Sequence, residues 1–233
     1  AGRSSPLPTL FFSRRIGLEA GRAVPILGGA RLTGKVGPFD VGALSLQTDD
    51  LPGGDVACLS LGCPRPGVQS ANFSVMRLRA DVLRRSNIGA LVARRSEALA
   101  SSGSNQTYGA DASFSFFDEL YLTGYYAGTQ THGVESRDRS YGSRISYDGD
   151  ERGFRASHVL VEDNFNPEVG FVPRSGFRET QLALRASPRP RNIEKLRQVI
   201  LEASVDYFEN AELGFVETRD IIGQLRIDFE NSD

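Results

Sequence analysis

The chain has 233 residues, 39% of them hydrophobic and 24% charged, enough to bury a core and too apolar for a chain disordered by composition. Its 27 Lys+Arg against 29 Asp+Glu leave a formal charge of -2, which gives no electrostatic case for nucleic acid. The nearly apolar runs, such as Val24 to Ala30 and Ile88 to Ala93, fall far short of the ~18–20 residues of a membrane helix, so a helical membrane protein is excluded while a membrane strand protein is not.

Ala1 to Thr9 is polar and has no apolar core of a secretory signal. The single methionine is Met76, and Asn231-Ser232-Asp233 follows directly on a strand pattern, so the chain reads as an internal piece of a longer protein. We divide it into a lead-in segment, 1–27, and a β-barrel-like domain, 28–233, truncated at its C-terminus. From Gly29 the dominant period is two. Gly29 to Val36 alternates Ala30, Leu32, Gly34 and Val36 with Arg31, Thr33 and Lys35. Further strands are predicted at Asp40 to Thr48, Asn72 to Arg79 and Asn87 to Arg94. Asn105 to Phe117 places Tyr108, Ala110, Ala112, Phe114 and Phe116 on one face and small or polar residues on the other. Leu120 to Gly128, Ser140 to Tyr147, Gly153 to Val161, Gly176 to Ala186, Arg197 to Phe208 and Asp220 to Phe229 complete the set. Tight links at Gly37-Pro38-Phe39, Phe117-Asp118-Glu119 and Asp148 to Glu151 alternate with long ones. The alternation fails at Ser187 to Leu196 and at Glu209-Asn210, where one strand could be miscounted.

Cys58 and Cys63 are the only cysteines, and His132 and His158 are remote from them, so a zinc site lacks ligands. The pair is expected to be a loop disulfide, with free thiols as the alternative.

The fold class is therefore all-β: an antiparallel meander of about ten or eleven strands, transmembrane β-barrel-like and incomplete. A soluble β-sandwich also alternates, with its apolar face inward. Three features favour the barrel. The polar positions are small or hydrogen-bonding, as in a hydrated lumen. The apolar faces mix Ala and Gly with large residues, which lipid tolerates. Aromatics cluster near strand ends, as interface girdles do, in Phe114, Phe116, Phe117, Tyr121, Tyr125, Tyr126, Tyr207 and Phe208.

Phe11-Phe12-Ser13-Arg14-Arg15-Ile16-Gly17, the run Val24 to Gly37, Phe73 to Asp81, Ser86 to Val92 and Asp163-Asn164-Phe165-Asn166-Pro167-Glu168-Val169-Gly170-Phe171-Val172-Pro173-Arg174 resemble an uncharacterised bacterial domain family. That domain lies C-terminal to a carbohydrate-binding module of the family 9 type. The resemblance runs over nearly the whole chain, with the first and last motifs the most specific. It implies a barrel-like region of a secreted envelope protein, located in the bacterial outer membrane. Outer-membrane lipid, a polysaccharide or oligosaccharide ligand and an N-terminal carbohydrate-binding-like domain are the implied partners. The function expected is carbohydrate-related binding or uptake at the cell envelope, with a soluble secreted all-β binding domain or a glycan-directed hydrolase as alternatives.

The ligand-binding candidates are Arg14, Arg15, Arg31, Lys35, Arg77, Arg79, Asn166 and Arg174. Arg14 and Arg15 either contact a ligand or pair with acids such as Glu19. Arg31 with Lys35, and Arg77 with Arg79, either form a cationic ladder for anionic solutes or offset Asp40, Asp81, Asp111 and Glu119. The run Asp163 to Glu168 reads as a loop ordered by Pro167 before it reads as a Ca²⁺ site. No cofactor or metal is expected, and no catalytic residue is assigned. Were the chain an enzyme, it would be glycoside hydrolase-like, with its site in the long loops or in regions outside this chain; Glu162, Asp163 and Glu168 are close in sequence, but nothing in the sequence fixes them in the geometry of a carboxylate pair.

Overall fold

The computed structural model describes residues 7–19, 21–58, 61–65, 67–99, 103–134, 136–190, 192–193 and 196–230, with side chains left aside over 54–66. Period two becomes an antiparallel meander. A short lead-in carries a 3-10 turn at Ser13–Arg15 and the small strands β1 (Leu18–Glu19) and β2 (Arg22–Ala23). Then come β3 (Ile26–Val36), β4 (Phe39–Thr48), the side hairpin β5 (Gly54–Cys58) and β6 (Leu61–Arg65), β7 (Asn72–Leu83), β8 (Ser86–Arg95), β9 (Asn105–Phe116) and β10 (Leu120–Thr131). β11 (Arg139–Asp148), β12 (Arg152–Val161), β13 (Phe177–Ala186), β14 (Leu196–Asn210) and β15 (Val216–Phe229) complete the chain. β3, β4 and β7 to β15 form one 11-stranded sheet in which every strand pairs with its sequence neighbours, β5 and β6 aside. The sheet is open: β3 and β15 are its two edges and do not pair with each other. All eleven expected strands are present, and the described residues between β13 and β14 form no further strand.

Register aligns like with like. Phe114, Leu122, Ile145, Ala156, Leu182, Val205 and Ile221 are directly opposed from β9 to β15 and form one apolar row. The adjacent row on the other face is polar throughout: Ser113, Thr123, Arg144, Ser157, Gln181, Asp206 and Asp220. The first half of the sheet repeats the contrast, with Val36, Phe39, Ala80, Ile88 and Ala112 on one face and Lys35, Asp40, Arg79, Gly89 and Asp111 on the other. A slip of one residue would exchange the two faces everywhere, so the pattern specifies its register strongly. The register shifts in this sheet fall near strand ends, at Ile26/Gly28, Asp81/Leu83, Leu196/Gln198 and Phe208/Glu209, where a bulge ends pairing at little cost.

The core lies on the polar face, at the end of the sheet that carries the longer loops 49–71, 96–104, 132–138 and 162–176. Ile16 and Val169 pack there with Phe73, Val75, Leu91 and Ala93, while Phe165 packs with Ala127, Val161 and Phe177. Leu10 touches both clusters. This face is therefore the inner one, and its long-loop half is apolar, against the expectation of a uniformly polar lining. The expected girdle also needs correction. Tyr121 and Tyr125 sit on the inner face beside Asp111 and Ser115, and Phe208 stacks on Phe177 in the core, ring centroids 5.1 Å apart. Phe117 stands at the β9–β10 turn with φ 53° and 91% exposure.

Candidate functional site

Three surfaces carry the chemistry: the outer face, the plug on the inner face, and the polar inner half that the plug leaves open. On the outer face no member of the Tyr108, Ala110, Ala112, Phe114 and Phe116 set is buried. Leu32 is 68% exposed and Ile221 73%. Tyr108 to Phe116 spans about 27 Å along its strand, and the seven-strand apolar row about 30 Å across. Soluble monomers rarely expose more than a few hundred Å² of contiguous apolar surface. Tyr108, Tyr126, Tyr141 and Tyr207 lie on this face near the long-loop edge, with Tyr126 directly opposite Tyr141. Phe39, Phe116, Tyr147 and Phe154 lie at the tight-turn edge, and Tyr147 stacks on Phe154 at 6.1 Å. The polar interruption by His158 and Thr180 satisfies itself, since His158 Nδ1 and Thr180 Oγ1 are hydrogen-bonded at 2.9 Å.

The plug joins the lead-in to the loop 162–176. The Phe12 N–H donates to the Val169 carbonyl (2.9 Å), and Thr9 and Phe171 exchange backbone hydrogen bonds of 2.8 and 2.7 Å. Arg15 Nε donates to the Gly170 carbonyl at 3.1 Å. Arg95 at the end of β8 latches the two segments: its Nη1 lies 3.2 Å from Glu19 Oε2 and its Nε 3.8 Å from Glu168 Oε2. Both oxygens of Glu168 also accept the Leu99 N–H at 2.9 Å. The Arg95 and Glu168 side chains are 5% and 1% exposed, and the Arg95 guanidinium lies 5.2 Å from the Phe73 ring centroid. Gly170 is where the two segments touch most closely, because an added Cβ would fall 2.2 Å from the Thr9 carbonyl oxygen and 2.8 Å from that of Leu10. Backbone cannot yield as a side-chain tip does. Gly170→Ala is therefore expected to cost about 1–3 kcal/mol by overpacking and to speed tryptic cleavage within the lead-in. Gly28→Ala, whose Cβ would meet nothing within 4 Å, should change neither the unfolding midpoint nor the cleavage rate.

The expected site residues fall in four places. Arg14 and Arg15 are in the plug, Arg14 exposed, and Glu19 pairs with Arg95. Arg31 is on the inner face of the edge strand β3. Lys35 Nζ lies 3.2 Å from Asp81 and 3.9 Å from Asp40, and Arg79 Nε 4.0 Å from Asp81. Arg77 reaches diagonally across Gly89 to form a two-point pair with Asp111, Nη2 to Oδ2 2.9 Å. A Cβ on Gly89 would lie 2.5 Å from Arg77 Nη2, so the missing side chain makes room for the crossing. Lys35, Arg77 and Arg79 thus sit in a charge-offsetting network. Asn166 and Arg174 meet at a cavity of about 450 Å³ beside Asp163 and Asn164. Arg174 is held there by Glu217 at 2.5 Å and by the Phe208 ring at 4.5 Å.

The carboxylates of the enzyme alternative have other partners. Glu162 Oε2 accepts the Arg139 N–H at 2.9 Å, Asp163 pairs with Arg137 at 2.5 Å, and Glu168 belongs to the latch. No group of three or more His, Cys, Asp or Glu that could hold a metal occurs among the described residues. Val56 is paired with Cys63 and Cys58 with Leu61 in the β5–β6 hairpin; the side chains of the expected disulfide lie outside the described residues.

Below the plug, two cavities of about 250 Å³ each open on the inner face. One is bordered by Leu7 of the lead-in, Thr123, Arg144 and Ser157. The other is bordered by Tyr121, Ser146, Arg155, Glu202 and Gln224. Arg144 and Arg155 were not among the residues expected from sequence. Their only signal was their place on the polar side of two strand patterns.

The chain is thus an open, plugged antiparallel sheet of 11 strands with an exposed apolar outer face. No protein-family model, no curated protein and no solved structure matches it.

Proposed function

We infer that this sheet is the membrane-embedded part of a bacterial outer-membrane β-barrel protein, with its outer face against lipid and its polar face toward a plugged lumen that handles carbohydrate-related ligands. The observation that carries the reading is the exposed apolar band between its aromatic margins. With strands tilted by about 40°, the stretch from Tyr108 to Phe116 rises about 20 Å, near the ~25 Å apolar band of outer-membrane barrels. No helix among the described residues is long and apolar enough to cross a membrane, which says nothing of crossing by strands. Short turns at four of the five connections at one end, and long ones at four of the five at the other, fit periplasmic and external sides, with β13–β14 and β14–β15 as the exceptions. The carbohydrate part rests on the family resemblance and on the hydroxyl, amide and guanidinium groups of the open inner half.

Detergent extraction followed by gel electrophoresis with and without boiling tests the membrane part. The chain should need detergent to stay in solution and should migrate differently when boiled. Full solubility in buffer, with one mobility before and after boiling, would sink it.

A further inference from the structure

The inner face carries an uneven charge. Among the described residues, Lys35, Arg77, Arg79, Arg95 and Arg185 each lie within 4.0 Å of a carboxylate. Arg144 and Arg155 have no hydrogen-bonding or ion-pair partner among them, and neither does Arg31 at the open edge. Arg144 opposes Ser157 and Arg155 opposes Ser146 on the adjacent strands β11 and β12. The two guanidinium groups therefore stand diagonally on one face, within reach of each other's neighbours. Both are exposed, and each borders one of the two cavities below the plug. Around them lie the hydroxyls of Thr123 and Ser146, able to donate to an anion without competing for the arginines, and that of Ser157, which donates to Gln181 Oε1 at 3.4 Å.

Further along the same rows the sign changes. Asp206 and Asp220 face each other across β14 and β15, and Glu202 borders the Arg155 cavity. From Arg144 to Asp206 the sheet runs three strand spacings, about 14 Å. An anion is drawn to one side of this vestibule and repelled from the other.

We propose that Arg144 and Arg155 form the anion-binding half of a ligand site that takes a sugar bearing a carboxylate or phosphate, its charged end on the two arginines and its hydroxyls toward Gln181, Glu202 and Asp206. Two adjacent guanidinium groups without a counter-ion repel each other, and a shared oxyanion relieves this through paired N–H donors, the geometry for which arginine is suited. Carboxylates and hydroxyls two strands away accept hydrogen bonds from sugar hydroxyls. The site lies away from Arg77 and Arg79, whose charge Asp111 and Asp81 already offset. The sugar part of the proposal rests on the carbohydrate reading above; the anion part stands on the unpaired arginines alone.

Calorimetric titration of the 233-residue chain in detergent micelles, with glucuronate, glucose 6-phosphate, glucose and inorganic phosphate as probes, separates the two parts. Glucuronate and glucose 6-phosphate should bind at least about tenfold more tightly than glucose. Arg144→Gln with Arg155→Gln should remove that advantage, while Arg79→Gln should keep it within about twofold. Inorganic phosphate binding as tightly as glucose 6-phosphate, with the same loss on the double substitution, would keep the arginine site and overturn its sugar part together with the carbohydrate reading. Glucose binding as tightly as glucuronate, unchanged by the double substitution, would overturn the arginine site and keep the carbohydrate reading. Binding of none of the four would overturn both. Because both arginines are exposed, folding of each variant is read independently from its gel mobility with and without boiling.

Discussion

Ala112→Arg should weaken the folded chain in phospholipid vesicles by about 2–4 kcal/mol, the cost of an arginine on the lipid face of a barrel near the bilayer midplane. Ala112 stands midway between Tyr108 and Phe116 on β9, with Ile88 and Gly124 directly opposite on its two neighbours. The substitution removes no large side chain, so no cavity contributes to its effect. The control is Asn87→Arg on the inner face, directly opposite Asp81, where a new cation meets a carboxylate and water. Asn87 is half-buried and outside both core clusters, so the change should stay within about 0.5 kcal/mol of the parent. Urea unfolding from vesicles measures both. Equal, small effects would mean that the outer face meets water, and the membrane reading would fall.

Arg95→Met should cost about 3–5 kcal/mol, because it takes the guanidinium away from the two carboxylates it faces, Glu19 and the buried Glu168. Methionine fills much of the arginine stem volume and keeps contact with Phe73, so the loss reports charge more than packing. The double variant Arg95→Met with Glu168→Gln should recover much of the loss, since the buried carboxylate that Arg95 faced is then neutral. Denaturant midpoints supply the cycle. Limited trypsin digestion adds a local readout: Arg15, tied to Gly170 at 3.1 Å in the parent, should become a faster cleavage point once Glu19 is released. A cost below about 1 kcal/mol would place the latch among ordinary surface pairs and deny it any part in holding the plug.

The two experiments address different layers of the molecule. The first asks what the apolar outer face touches. The second asks what keeps the lead-in on the inner face. Closing the long-loop end in this way leaves the two cavities at Arg144 and Arg155 as the polar space on the inner half that the plug does not cover.

How far each layer was legible in the sequence follows from the range of its contacts. Strand positions were legible because period two is local: Tyr108, Ala110, Ala112, Phe114 and Phe116 alternate with small or polar neighbours whatever the rest of the chain does. The face of each strand followed from the same parity. Where strands are apolar on both faces, parity is silent. In Ile88 to Ala93, Leu91 and Ala93 point into the core while Ile88 and Val92 point outward, and only the packed plug distinguishes them. Phe208 and Tyr125 were assigned to a girdle for the same reason: an aromatic near a strand end has a known position along the strand and an unknown side until register is set.

The sequence by itself determined an all-β chain and the eleven strands of its main sheet, since alternation and turn chemistry are properties of neighbours; the small pairs β1–β2 and β5–β6 carry no such pattern. Tertiary structure alone decided which charges are offset. The latch joins Arg95 to Glu19 across 76 residues and Leu99 to Glu168 across 69, and no local pattern brings such groups together. Arg77 and Arg144 are alike in sequence, each an arginine on the polar side of a strand. Arg77 finds Asp111 across a glycine, and Arg144 faces Thr123 and Ser157. Electrostatic pairing depends on distance in space, which register sets and sequence order does not.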